Sequence, residues 1–241
     1  MLILALLWLI IRDLGLDFEA LFLGIQDMGE YFSRYGTPNF SELPRLMRAM
    51  GTTLATAFWG TIIALGLALV LAPLAARNLS PHPAIYRFGR EMLNFMRAIP
   101  DLLLALLFVS AFGLGPLPGA LALGIHTAGF LGKFFAESLE RVDAGKYEAL
   151  AATGAGFTQT VMFAGWPSIS REVAGYTLYI MDRNIRAATV LGLVGAGGIG
   201  LELTSSLRLF RYNHASTVII VILVTIVIID QASTWLRERL R

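Results

Sequence analysis

The sequence predicts an all-α integral membrane protein, and three observations predict it. Hydrophobic residues make up 56% of the 241 positions, and mean hydropathy is +0.67. Charged residues make up only 15%, against about 25% in soluble domains. Apolar runs near the length of a bilayer-crossing helix recur along the chain, divided by polar or glycine-rich breaks. Such a chain has too little polar surface to keep itself in water. One membrane domain with five or six spanning helices fits the length. The net charge of +2 is too small for a nucleic-acid binder. With no cysteine, disulfides, thiol catalysis and cysteine metal sites are excluded. Three histidines without clustered carboxylates offer little for a metal.

Each element follows in order. Met1 to Ile11 (MLILALLWLII) is apolar but covers only about half the hydrocarbon core. It lacks the basic start and the cleavage site of a signal peptide. An N-terminal membrane anchor is expected, either a full span or one truncated at its start. Arg12 to Gly51 is mixed and polar, and predicts short interfacial helices outside the membrane. Thr52 to Ala76 carries no charge and is the first confident span. Arg77 to Arg90 is expected as a polar loop, and Glu91 to Phe112 as a second span with a polar start. Gly113 to Gly119 (GLGPLPG) is a tight uncharged turn. Ala120 to Ser138 is the next span, with His126 near its middle. Gly124, Gly129 and Gly132 line it, and small residues let neighbouring helices approach. Lys146 to Pro167 is a polar, alanine-rich run. Ser168 to Leu193 is a less obvious span, interrupted by Glu172, Asp182, Arg183 and Arg186. Gly195 to Gly200 is a glycine cluster, followed by a polar segment to His214. Ala215 to Leu236 is the last and most apolar span, before the tail RERLR.

Orientation follows from the basic residues. The RERLR tail, the Lys146 run and the Arg77 to Arg90 segment fall on one side. The opposite turn, Gly113 to Gly119, has no basic residue. The basic side is therefore expected to be cytoplasmic. Arg12, Arg34, Arg45 and Arg48 fall outside, in a longer segment that obeys the rule weakly.

Six groups of residues could carry chemistry. In the Lys146 run, Glu148, Ala149 and Ala152 suit a short surface helix. Gly154 and Gly156 can stop it, and Pro167 suits the first turn of the next helix. Asp182, Arg183, Asn184 and Arg186 are polar within a span, where charges face a cavity or a partner. Tyr176, Tyr179, Arg183 and Arg186 recur at helical spacing. Asp182 and Arg186 are four apart with the acid first, the better order for a pair. That pair either locks helices together or belongs to a polar stripe lining a pathway. His126 either makes an interhelical hydrogen bond or joins the pathway. Lys133, Glu137 and Asp230 lie toward cytoplasmic ends. Arg97 and Asp101, four apart around Pro100, are expected to pair or to meet the loop region. Gly195, Gly197, Gly198 and Gly200 fit G-x-G-x-x-G. Apolar spans flank them and no acid follows about 20 residues on, so a dinucleotide site is not expected. No G-x-x-x-x-G-K-[ST] stretch occurs, so the chain lacks that nucleotide site.

The run KYEALAATGAGFTQTVMFAGWP resembles the conserved cytoplasmic loop of binding-protein-dependent ABC importer permeases. That pattern reads Glu-Ala-Ala, three residues, Gly, nine residues, Ile, any residue, Leu-Pro. Glu148, Ala149, Gly154 and Pro167 match it, while Leu150, Ala164 and Trp166 depart. The run DRNIRAATVLGLVGAGGIGLEL, Asp182 to Leu203, is similar to the phosphonate and phosphite importer permeases in particular. The resemblance covers most of the chain from about Pro44.

It implies a type I ABC importer permease fold, with five core spans in a transmembrane domain over 49–237. Residues 1–48 would hold the anchor and an external interfacial segment, and 146–167 the ATPase-coupling loop. It implies a homodimer in the lipid bilayer of the inner membrane. Two ATPase subunits holding ATP and Mg would sit beneath, and a periplasmic binding protein above. The chain itself would carry no cofactor and work by alternating access. Glu148, Ala149, Gly154 and Pro167 would be the coupling residues. Tyr179, Asp182, Arg183, Asn184, Arg186 and His126 are candidates for the substrate pathway. Gly195, Gly197, Gly198 and Gly200 would form an external gate turn, whose amides could meet an oxyanion. The cargo implied is phosphonate, phosphite or a similar small phosphorus oxyanion. A permease for methionine or another amino acid shares the loop and the glycine turn; the Asp182 to Arg186 segment argues against it. An intramembrane enzyme would need a convergent acid/base or metal constellation, which the sequence does not present.

Overall fold

A computed structural model describes residues 2–13, 15 and 18–240, and among them every regular element is helical. Met1 of the expected anchor and Arg241 of the basic tail lie outside the described residues. Helix α1 is Leu2–Asp13, α2 is Phe18–Ser33, α3 is Leu43–Leu74, α4 is Pro83–Ala98, α5 is Asp101–Phe112 and α6 is Pro116–Glu140. The short helices α7 (Ala144–Ala152), α8 (Phe157–Thr160) and α9 (Trp166–Ser168) follow, then α10 (Ser170–Leu191), α11 (Ile199–Arg208) and α12 (Tyr212–Leu240). Among the described residues, three helical stretches are long and apolar enough to cross a membrane: Phe40–Leu74, Pro116–Glu140 and Tyr212–Leu236. Two bent pairs bring the number to five if each is one span. These are α4 with α5, bent by 82°, and the stretch Ser170–Val194 with α11, bent by 42°.

The second span corrects the sequence expectation. Arg77 to Arg90 is not all loop, because α4 starts at Pro83, where the Ala84 amide donates to His82 Nδ1 at 3.1 Å. Nor is Glu91 to Phe112 one helix. Pro100 has no amide hydrogen and disfavours helical geometry in the residue before it. Ile99 is accordingly extended, at φ −83° and ψ 120°, and the helix restarts at Asp101 in a new direction. The first span is also longer than its uncharged core. Pro44 sits in the first turn of α3. Leu46 and Met50 then pack on Ile199 and Val218 of α11 and α12.

The core sits where α3 and α4 meet α6. Ala64, Ala68 and Ala72, four apart on α3, are all fully buried. A Cβ on Gly124 would come within 2.6 Å of the Ile63 side chain, and one on Gly60 within 2.8 Å of Leu123. On the α4 side, a Cβ on Gly129 would meet the Leu93 carbonyl at 2.6 Å. Lipid tails are as apolar as leucine, so helices here associate by close packing rather than by escape from water. Small residues on both faces allow that contact.

The end expected to be cytoplasmic is closed by one carboxylate. Glu140 Oε1 accepts from Arg90 Nη2 at 2.7 Å and from the Arg77 amide at 2.8 Å. Arg90 Nε also donates to the Ala75 carbonyl at 2.8 Å, beyond the end of α3. At the other end, Ser216 donates to the Tyr35 carbonyl at 2.7 Å and Thr217 to the Asn39 carbonyl at 2.9 Å. Burial and the Tyr31 hydroxyl push the Tyr35 phenol up to about 12. Helix α1 has 12 residues, about 18 Å of rise, shorter than a hydrocarbon core of about 30 Å.

Candidate functional site

The loop between α6 and α10 is a built surface. Asp143 caps α7 by accepting from the Gly145 amide at 3.0 Å. The helix ends in a Schellman motif: the Gly154 amide donates to the Ala151 carbonyl at 2.9 Å and the Ala155 amide to Leu150 at 3.3 Å. Gly154 supplies the left-handed residue, at φ +80°. Its missing Cβ faces open space. The loop is held from below by Tyr147, a buried residue whose hydroxyl donates to the Leu139 carbonyl at 3.1 Å. Burial pushes that phenol above its usual value. Lys146 Nζ donates to Ser168 Oγ at 3.1 Å, joining the start of the loop to its end.

Glu148, Ala149, Gly154 and Pro167 are all exposed. Pro167 lies in the first turn of short α9, and the long helix starts three residues later at Ser170. Between α8 and α9 one wider turn, Val161–Gly165, buries Val161 and Ala164 and exposes Met162 and Phe163. Phe163 is 73% exposed. With Leu150, Thr153, Gly154, Ala155 and Gln159 it lines an open hollow of about 300 Å³. A flat apolar ring beside a hollow suits contact with another protein.

Helix α10 divides its polar residues between two faces. Asn184 is fully buried and donates to Thr61 Oγ1 at 3.0 Å and Thr127 Oγ1 at 3.4 Å, bridging to α3 and α6. It is a packing residue in this conformation. Asp182 is buried and pairs with Arg186, whose side chain is 46% exposed. The four tyrosines and arginines do not share one environment. Tyr176 stacks on Phe134 at 5.0 Å and Arg183 lies over Phe130 at 5.0 Å, both on α6. Tyr179 and Arg186 remain exposed.

His126 makes the interhelical bond. Its Nδ1 lies 2.8 Å from the Ile99 carbonyl, at the break between α4 and α5. Its Nε2 lies 3.4 Å from Arg183 Nη2. A carbonyl only accepts, so Nδ1 carries the hydrogen and Nε2 accepts from the guanidinium. Arg183 Nη1 is buried without a partner among the described residues. Arg97 and Asp101 do not pair: Arg97 donates to Asn94 at 3.0 Å, and Asp101 accepts from the Leu102 amide at 2.9 Å. The proline break turns the two side chains apart.

The glycine turn follows backbone demands. Gly195, Gly197 and Gly198 have φ of +96°, +77° and +74°. A Cβ on Gly200 would fall 2.1 Å from the Thr189 carbonyl oxygen. Thr53 Oγ1 of α3 accepts from the Ile199 amide at 2.9 Å, so the start of α11 is already capped. The Gly115 amide donates to the Gly195 carbonyl at 3.1 Å, joining this turn to Gly113 to Gly119 at the same end.

Sequence reasoning missed Phe130, Thr61, Thr127 and the Ile99 carbonyl. His126, Phe130 and Phe134 recur every four residues on α6, which put them opposite Arg183 and Tyr176, seven apart on α10. That matched spacing was the available signal. It also missed Glu172, which accepts from Arg141 at 3.0 Å and from the Ser138 hydroxyl where α10 starts.

Comparison with known proteins agrees with this architecture. Residues 64–241 match the family described as binding-protein-dependent transport system inner membrane component. The chain is 40% identical over 226 residues to a phosphite transport system permease protein of Stutzerimonas stutzeri, spanning 94% of this chain and 82% of that one. It is 41% identical over 210 residues to a phosphate-import permease protein of Mycolicibacterium smegmatis, spanning 87% of this chain and 40% of that one. In fold it is similar to a chain of the MetNI methionine ABC transporter in an inward-facing conformation. There the TM-score is 0.68 at 19% identity, over 81% of this chain and 96% of the other. With three to five apolar membrane-length elements among the described residues, a structured loop between α6 and α10, and these relatives, the chain belongs to the inner-membrane permease family of binding-protein-dependent transport systems.

Proposed function

We infer that this chain is the membrane-spanning permease subunit of an ATP-driven importer for phosphite, phosphonate or a similar small phosphorus oxyanion. The cargo class rests on the phosphite relative at 40% identity. The observation that carries the pathway is Arg186. It lies 16 residues into α10, about 24 Å along the helix axis, with its side chain 46% exposed. An arginine facing lipid within a crossing helix costs up to about 2.5–3.5 kcal/mol on insertion scales, the figure for the helix centre. Tyr179 is exposed on the same face. This face is therefore covered, by a second copy of the chain around a water-filled path. Arginine suits such a path for an oxyanion, because its donors match tetrahedral oxygens. Asp182 tempers the charge so that cargo is released as well as bound.

Two ATPase subunits, which hold ATP and Mg, dock on the exposed loop. A movement of α7 there pulls on α6 through Tyr147 and Leu139, and on α9 and the start of α10 through Lys146 and Ser168. A periplasmic binding protein delivers cargo at the end marked by the glycine turn. The methionine reading has less support, since the likeness to that transporter at 19% identity carries the fold alone.

The test is reconstitution in vesicles with the partner ATPase and binding protein. ATP-dependent uptake of labelled phosphite or a phosphonate is expected, with no accumulation of methionine. Uptake of an amino acid without any phosphorus oxyanion would overturn the reading.

A further inference from the structure

His126 connects two features that the pathway reading leaves separate. One is the mid-span break at Ile99 and Pro100, where α4 and α5 meet at 82°. The other is Arg183, whose guanidinium lies beside the His126 ring nitrogen and over the Phe130 ring. The bond from Nδ1 to the Ile99 carbonyl, at 2.8 Å, decides which ring nitrogen is free. It leaves Nε2 as an acceptor facing Arg183. The edge of the His126 ring against Phe130, with centroids 5.3 Å apart, keeps the imidazole from turning away. Arg183 is thus held by one nitrogen and one face. Its Nη1 is buried with no partner among the described residues. A buried, unpaired donor on a charged group is costly, so this is the atom with most to gain from an oxyanion acceptor.

We propose that His126 is the positioning residue for Arg183: through its bond to Ile99 it fixes the guanidinium so that Nη1 is kept free for the cargo. The proposal rests on the pathway reading above. It assigns His126 no contact with cargo, and it makes the break between α4 and α5 the element that sets the arginine. A rearrangement at Pro100 shifts the Ile99 carbonyl, turns the imidazole and releases or presents the arginine. The rival role is structural only, with His126 serving to satisfy the Ile99 carbonyl.

Two amides separate these roles, because each reaches the place of one ring nitrogen. His126→Asn places a donor near the Nδ1 position and keeps the bond to Ile99, but loses the acceptor for Arg183. His126→Gln reaches the Nε2 position and keeps that acceptor, but loses Ile99. Phosphite uptake into vesicles is measured per intact complex, so that poor assembly is divided out. The expected result is a loss of about tenfold for His126→Asn, the scale of one hydrogen bond to a charged group, and a smaller loss for His126→Gln, whose acceptor is kept but no longer fastened to Ile99. In an Arg183→Gln background, His126→Asn should then cost nothing more. Phe130→Leu, which removes the aromatic face beside Arg183, should also lower uptake. Wild-type uptake in His126→Asn with loss in His126→Gln overturns the positioning role, as do losses that add in the double variant or wild-type uptake in Phe130→Leu. Wild-type uptake in Arg183→Gln alone overturns the positioning role, and wild-type uptake in both Arg183→Gln and Arg186→Gln overturns the pathway reading itself.

Discussion

Asp182 and Arg186 illustrate how one pair can serve two ends. The acid is buried and the base is half exposed. Removing the base leaves a carboxylate in a low-dielectric site without its partner, whereas removing both leaves no charge to strand. Arg186→Gln should therefore lower the stability of the purified complex by roughly 1–3 kcal/mol, the upper end being tempered by solvent at the exposed guanidinium. The double change Asp182→Asn with Arg186→Gln should be milder than Arg186→Gln alone. Thermal unfolding in detergent measures both. Equal losses in the single and double variants would mean that the pair contributes nothing as a pair. Arg183 differs, because it is held by aromatic and imidazole rings rather than by an acid.

Among the elements, the loop helix α7 is the one whose ending is set by a single backbone angle. Gly154 sits at φ +80°, with nothing within 4 Å of the place a Cβ would take. Substitution there meets no neighbour inside this chain, so its internal cost is the left-handed backbone alone. That is about 1–2 kcal/mol for a residue with a Cβ, and less for asparagine, which tolerates this region. Gly154→Val should leave the protein in the membrane while ATP hydrolysis runs without uptake. Gly154→Asn should retain more coupling. The measurement is the ratio of phosphate released from ATP to phosphite accumulated in the same vesicles. An unchanged ratio in Gly154→Val would remove the loop from the coupling role. The break between α4 and α5 is the second such element, set by the missing amide hydrogen of Pro100 and fastened by His126.

For the whole molecule, orientation and copy number each have a direct measurement. The chain has no cysteine, so one introduced at the exposed Thr158 is the sole thiol reporter. A membrane-impermeant maleimide should label it in inside-out vesicles and not in intact cells. Labelling from the outside of intact cells would invert the topology and separate the loop from any ATPase. A two-fold dimer is expected because the exposed polar face of α10 has to be covered at membrane depth. Mass measurement of the purified complex should give two copies of this chain. A transport-competent complex with one copy would end the dimer reading.

Composition and pattern alone determined the membrane class, the surface helix in the loop and the glycine turn. Each of these is a local matter: apolar length, helix propensity, or a backbone angle that only glycine adopts freely. The loop between α6 and α10 was legible for that reason, down to Gly154 ending α7 and Pro167 entering a first turn. The proline that breaks the second crossing was visible as well, yet the run was expected as one helix. Apolarity persists through Pro100, and nothing local says how far the chain turns. Only the tertiary structure decided which polar residues of α10 face inward. Asn184 and Arg186 are two residues apart, and one is sealed against Thr61 and Thr127 while the other is exposed. Helical spacing gives the angle between two side chains but not which way the helix is rotated. That rotation is seen in the Asn184 bonds to Thr61 and Thr127, on the two helices that Gly60 and Gly124 allow to approach closely.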